Sequence, residues 1–238
     1  MSGPRWFSPP QDPADPSTGR LNVVYDALDR LVVGGVAEAP ALRSAAGAVS
    51  YAVLLEQVAS MGGLMRALGV REGDAVAVAA VPSPEAIVAL LAVARVGATV
   101  WVGREPGPLV ERSDPALVVA DGNQMPDVAA AVDALDAARP RAVVVVRPGE
   151  WPLVETRDVA WDPALKAGAT DPAPVVPVAG GTALVTTGSG DAVAHDDPSL
   201  ATSYEEPVEI GSAWDETTVV TILSGLMSGQ GVVLDARR

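Results

Sequence analysis

The sequence predicts an α/β chain in which mostly parallel strands are flanked by helices. Three observations carry that reading. Short runs rich in valine and alanine at residues 75–81, 98–102, 116–120 and 141–146 have the length and composition of buried strands. Apolar residues at helical spacing stand between these runs, so helix and strand alternate and right-handed crossovers join parallel neighbours. Glycine- and proline-rich turn chemistry separates the elements.

Taken in order, residues 1–19 carry repeated prolines and polar side chains and predict an extended or disordered arm, with Trp6 and Phe7 as its anchors. Leu21, Val24, Tyr25, Leu28 and Leu31 share a helical face that Gly34 and Gly35 end, and Asp29-Arg30 reads as a surface ion pair. Residues 41–43 and 48–50 predict a small hairpin. Ser50 is placed to cap a helix whose apolar face is Tyr51, Leu54, Leu55, Val58, Met61, Met65 and Leu68, with Gly69 at the left-handed stop. After the strand at 75–81, Ser83 suits an N-cap, Pro84 the first helical position and Glu85 the positive helix start. Residues 87–96 are apolar nearly all round, which predicts a helix covered on both sides. Farther on, residues 109–112 predict a short helical turn, residues 127–138 a helix, and residues 182–186 a strand. A helix over 216–227 and a strand from Val232 follow. Trp151 and Trp161 read as packing anchors.

Residues 148–177 carry many Pro, Asp and Gly residues and mark the natural boundary. The expected organisation is an arm over 1–19, a first α/β subdomain over 20–150, a linker over 151–177, and an incomplete second α/β subdomain over 178–238.

Composition sets further bounds. Of 238 residues, 49% are hydrophobic and 4% aromatic, so alanine and valine carry the burial. With no cysteine, disulfides and thiolate metal sites are excluded, which fits a cytoplasmic protein. A formal net charge of −14 argues against nucleic acid and anionic membranes as partners. No apolar run reaches the length of a membrane span. Lys166 is the sole lysine and His195 the sole histidine.

The stretch "SYAVLLEQVASMGGLMRALGVREGDAVAVAAVPSPEAIVALLAVARVGA" resembles the N-terminal subdomain of the adenylate-forming (AMP-binding) superfamily, and within it acetyl- and propionyl-CoA synthetases. "LNVVYDALDR", "SDPALVVAD" and "TRDVAWDPAL" extend the likeness. The resemblance implies the fold of the first part of an acyl-CoA synthetase large domain. It also implies that the adenine loop, the magnesium-coordinating Thr-Glu segment, the ribose-binding Asp and the catalytic lysine lie beyond the end of this chain, which is then a truncated member.

In active members, a loop of the type Thr-Ser-Gly-Thr-Thr-Gly-x-Pro-Lys-Gly cradles the ATP phosphates with amides and hydroxyls, and its lysine adds charge. Here the corresponding residues are Thr186, Thr187, Gly188, Ser189 and Gly190, a degenerate phosphate loop. The Pro-Lys-Gly part is replaced, and Asp191, Asp196 and Asp197 stand where a phosphate site wants positive charge. His195 reads as a surface or helix-cap residue. The segment "EIGSAWDETTVVTILSGLMSGQGVVLD" also departs: Asp215-Glu216-Thr217-Thr218 occupy the first turn where relatives carry an aromatic or a histidine, which puts an acyl pocket in doubt.

These departures imply a pseudoenzyme: catalytically inactive, with no catalytic residue, no metal ligand and no cofactor, acting as a binding or interaction module. The alternative is an ATP-dependent acyl-CoA ligase of the acetyl- or propionyl-CoA synthetase type, active only with a complementary subunit and using ATP and magnesium. There a carboxylate attacks the α-phosphorus of ATP, releasing pyrophosphate, and the thiol of CoA displaces AMP. A gene remnant is the third reading. The expected partner is a protein or that complementary subunit.

Overall fold

The computed structural model describes residues 5–103, 105–135 and 140–234. A short strand β1 (Trp6–Ser8) opens it and pairs antiparallel with β2 (Arg20–Leu21). Between these two strands the chain turns and forms a single 3-10 turn at Pro16–Thr18. Residues 23–36 form a helical segment, wound wider than an α-helix over Tyr25–Asp29 and Val32–Val36. The hairpin of β3 (Pro40–Ser44) and β4 (Gly47–Ser50) leads into α1 (Tyr51–Ala67), capped by Ser50.

Then come β5 (Ala75–Ala79), α2 (Pro84–Arg95), β6 (Thr99–Val102), α3 (Pro106–Ser113), β7 (Leu117–Asp121) and α4 (Met125–Ala134). Residues 136–138 of the helix expected over 127–138 lie outside the described residues. Next are β8 (Val143–Val146), β9 (Asp158–Ala160), α5 (Trp161–Gly168), β10 (Val178–Ala179), β11 (Ala183–Thr187) and β12 (Ala192–Ala194). The last elements are β13 (Val208–Ile210), α6 (Glu216–Met227) and β14 (Val232–Leu234).

Seven strands make the main sheet in the order β12-β11-β6-β5-β7-β8-β9, all parallel except the antiparallel edge pair β11–β12. The four strands expected as parallel neighbours are β5, β6, β7 and β8, and they lie side by side. A four-stranded sheet has the order β13-β14-β3-β4, and β1-β2-β10 form a third.

The two-residue period of the strands sorts the core into two faces. Val76, Val78, Leu117, Val119, Val144 and Val146 point to one side, where they share a core with α1, α2, α6 and the four-stranded sheet. Ala77, Ala79, Val118, Ala120, Val143 and Val145 point to the other, against Leu109, Val110, Met125, Val128 and Val132 of α3 and α4. Every residue of α2 from Ala86 to Arg95 is buried, as its all-round apolar pattern requires. Ser83 caps this helix by accepting the Ala86 amide at 3.2 Å.

Where the sequence reading places a linker, the structure places β9 and α5. Both are built into the main sheet and its covering layer, and β11 lies beside β6. The apolar face of α5 is short, Trp161, Ala164 and Leu165, and its closest approach to α1 is made through glycines, so the proline-rich sequence hides it. A Cβ built on Gly168 would overlap the Ser60 carbonyl, and one on Gly63 would overlap the carbonyls of Asp171 and Gly168. No helix among the described residues is long and apolar enough to cross a membrane.

Candidate functional site

In parallel α/β sheets ligands bind outside the carboxyl ends of the strands. Two features occupy that rim here. The first lies between β5 and β7, where the direction of the crossovers reverses. Arg147, just past β8, adopts a left-handed backbone (φ +46°), uncommon for a residue other than glycine. Its guanidinium bonds Asp121 at the end of β7 and Glu85 at the start of α2, the latter at 2.8 Å. Burial opposes its charge, but the hydrogen bonds to the two carboxylates hold its pKa above the ordinary arginine value. This ion-pair network spans the crevice.

The second feature lies at the ends of β6 and β11. Thr186 sits within β11, in register with Trp101 on β6 and Ala192 on β12. The five-residue phosphate-loop candidate therefore straddles the end of a strand and a hairpin turn. The Thr187 amide donates to the Asp191 carbonyl at 2.8 Å, and the Gly190 amide donates to the Thr187 carbonyl at 2.9 Å. Gly190 takes φ +99°, which the turn requires and glycine permits. The Gly188 amide donates to the Val102 carbonyl at 2.7 Å. Thr187 Oγ1 and Ser189 Oγ share a hydrogen bond of 2.7 Å, and Ser189 Oγ donates to Asp191 Oδ2 at 2.6 Å. Arg112 of α3 donates to the Gly188 carbonyl.

Three of the loop's amides are thus committed to protein carbonyls, and the Thr187 and Ser189 hydroxyls form a chain that ends on the Asp191 carboxylate. A phosphate cradle needs the opposite arrangement: amides unpaired and aimed at the ligand, with cations nearby. The loop as it stands does not present that arrangement.

Beside the loop lies a cavity of about 310 Å³. Trp101, Leu109 and Arg112 line one side, Ser189 and Asp191 another, and Trp214, Asp215 and Glu216 the third. The start of α6 is brought here by Trp214, whose indole N–H donates to the Ala80 carbonyl at 2.6 Å, tying it to the end of β5. Asp215 caps α6 by accepting the Thr218 amide at 2.7 Å. The altered first turn noted in the sequence therefore puts two carboxylates on the cavity wall.

Two expectations need correction. His195 is neither a surface nor a cap residue: it is fully buried, and its Nδ1 accepts the Val23 amide at 3.3 Å. Its Nε2 has no hydrogen-bond partner among the described residues. Burial lowers its pKa to about 4. Of the three aspartates expected to face the phosphate site, only Asp191 lines the cavity. Asp196 accepts the Gly181 amide at 2.9 Å, and Asp197 caps a turn through the Ser199 amide at 2.8 Å. Both are drawn away by local turn chemistry.

The fold agrees with comparisons to known proteins. A Pseudomonas aeruginosa protein described as uncharacterised is 31% identical over 88% of this chain and 37% of its own length. An acetyl-coenzyme A synthetase of Streptomyces avermitilis is 35% identical over 60% of this chain and 25% of its own. The mitochondrial acyl-CoA synthetase short-chain family member 3 of Mus musculus is 29% identical over 66% of this chain and 27% of its own. The chain spans between about a quarter and just over a third of the length of these relatives. The AMP-binding enzyme family matches residues 32–190, from the helical segment before β3 through the loop after β11. With two thirds of its length so matched, the chain belongs to the AMP-binding enzyme family.

Proposed function

We propose that this AMP-binding-family chain works by binding, as a ligand- or partner-recognition module, and does not itself form an acyl adenylate. One observation carries the reading: the loop after β11 is closed on itself. The amides of Thr187, Gly188 and Gly190 already donate to carbonyls, and Asp191 stands beside them. Opening that turn to hold phosphates would sacrifice those bonds, at about 0.5–1.5 kcal/mol each, and would bring anions against a carboxylate. The partner is a protein and not nucleic acid or an anionic membrane, in keeping with a net charge of −14. A cytoplasmic location fits the absence of cysteine.

The second reading is an acyl-CoA ligase completed by another subunit. Likeness to acetyl-coenzyme A synthetase favours it. Release of pyrophosphate from MgATP in the presence of acetate or propionate separates the two. Our reading expects none above background from the chain. Acid-dependent release that is abolished by Gly188→Val would establish the ligase.

A further inference from the structure

We propose that the cavity at the ends of β6 and β11 takes a small organic cation: an ammonium or guanidinium group carried on an apolar or aromatic body. This rests on the reading above, that the loop does not hold a triphosphate. The cavity lies on the rim where α/β sheets bind their ligands. Its volume of about 310 Å³ suits a small molecule.

The lining sets the ligand's chemistry. Trp101, Leu109 and Trp214 offer apolar and aromatic wall, which favours an apolar body and attracts a cation to the indole rings. Among the described residues, Glu105, Asp191, Asp215 and Glu216 supply four carboxylates against one arginine. That arginine, Arg112, is engaged with the Gly188 carbonyl. Glu105 precedes α3 without capping it, so its carboxylate is not committed to the helix start. An adjoining groove of about 430 Å³ shares Glu105 and adds Glu111 and Asp127, extending the negative field. An anion is repelled here. Among the described residues no three acidic or histidine side chains converge to hold a metal ion. A diffuse organic cation, which needs no tight coordination shell, fits the separation of the carboxylates and uses the aromatic wall.

The test is calorimetric titration of the full chain with phenethylamine, 3-phenylpropionate and 2-phenylethanol, which share a body and differ in charge. The expected order is amine tightest, with the acid and the alcohol weaker by about tenfold or more. The same loss is expected for the amine in a Glu105→Gln, Glu216→Gln double variant; both residues are exposed. Equal binding of acid and amine overturns the proposal, as does amine binding unchanged in the double variant or absent at about 10 mM. MgATP titrated in parallel separates the two readings. Failure of the amine together with failure of ATP overturns only this inference. Micromolar ATP binding overturns the reading of the loop on which it rests.

Discussion

The Arg95 guanidinium grips the Asp29 carboxylate through two hydrogen bonds of 2.7 and 3.0 Å, joining the end of α2 to the helical segment before β3. Arg95 also donates from Nε to the Ala173 carbonyl at 2.7 Å, so one buried side chain holds three segments. Asp29 therefore does not pair with its sequence neighbour; Arg30 bonds Asp26 instead, at 3.1 Å.

Removing one partner leaves a buried charge uncompensated. Asp29→Ala is expected to cost about 3–5 kcal/mol in denaturant unfolding. An Asp29→Ala, Arg95→Met double variant should lose less, because an apolar side chain replaces the stranded cation. A single-variant loss under about 1 kcal/mol would place the pair among weak surface bridges.

Gly168 sets how closely α5 approaches α1. Gly168→Ala forces a Cβ onto the Ser60 carbonyl, and backbone cannot rotate aside as a side chain does. The expected loss is about 1–3 kcal/mol or more. A neutral Gly168→Ala would mean that the two helices sit farther apart.

Leu91 is fully buried on α2, which packs between α1 and the β5 and β6 strands of the main sheet. Leu91→Ala should cost about 2–5 kcal/mol in the same unfolding measurement. A loss under about 1 kcal/mol would mean that the helix is not covered on both sides.

His195 gives the fold a pH dependence. Its pKa falls from 6.5 to about 4 on burial, so the unfolded chain binds its proton more readily. Stability is then full above about pH 6.5 and is lost as pH falls toward 4, by about 3 kcal/mol in all. Asp26 acts with the opposite sign, since burial pushes its carboxyl up despite the Arg5 amide and Arg30. The His195 contribution is therefore read as a difference. His195→Asn, which keeps an acceptor for the Val23 amide, should flatten stability between pH 4 and 6.5 relative to the parent. An unchanged slope would contradict the burial of a neutral imidazole.

What local chemistry determines was legible in the sequence. Ser50 and Ser83 cap their helices because a cap needs only residues three positions away. The strands β5 to β8 and the bounds of α6 follow from runs and periodicity that stand in one window. Contacts that depend on distant segments were not legible. Asp29 and Arg95 are 66 residues apart, and nothing near either names the other. The burial of His195 follows from β12 folding back on β11 and from its contact with Val23, 172 residues away. Glycines 63 and 168 carry no apolar signal, although they fix a helix contact. The loop at Thr186, Thr187, Gly188, Ser189 and Gly190 was legible as a composition of small and hydroxyl-bearing residues. That its amides turn inward depends on the Val102 carbonyl and on the hairpin, which one segment cannot reveal.

On the function proposed above, this loop does not hold a nucleotide triphosphate. Isothermal titration of the chain with MgATP tests it most directly. With the Thr187, Gly188 and Gly190 amides already committed, each like-charge contact to Asp191 costs about 4 kcal/mol at 4 Å and an effective dielectric near 20 before screening. No affinity tighter than about millimolar, worth about −4.1 kcal/mol, is expected. A micromolar dissociation constant that vanishes in a Gly188→Val, Gly190→Val double variant would contradict it.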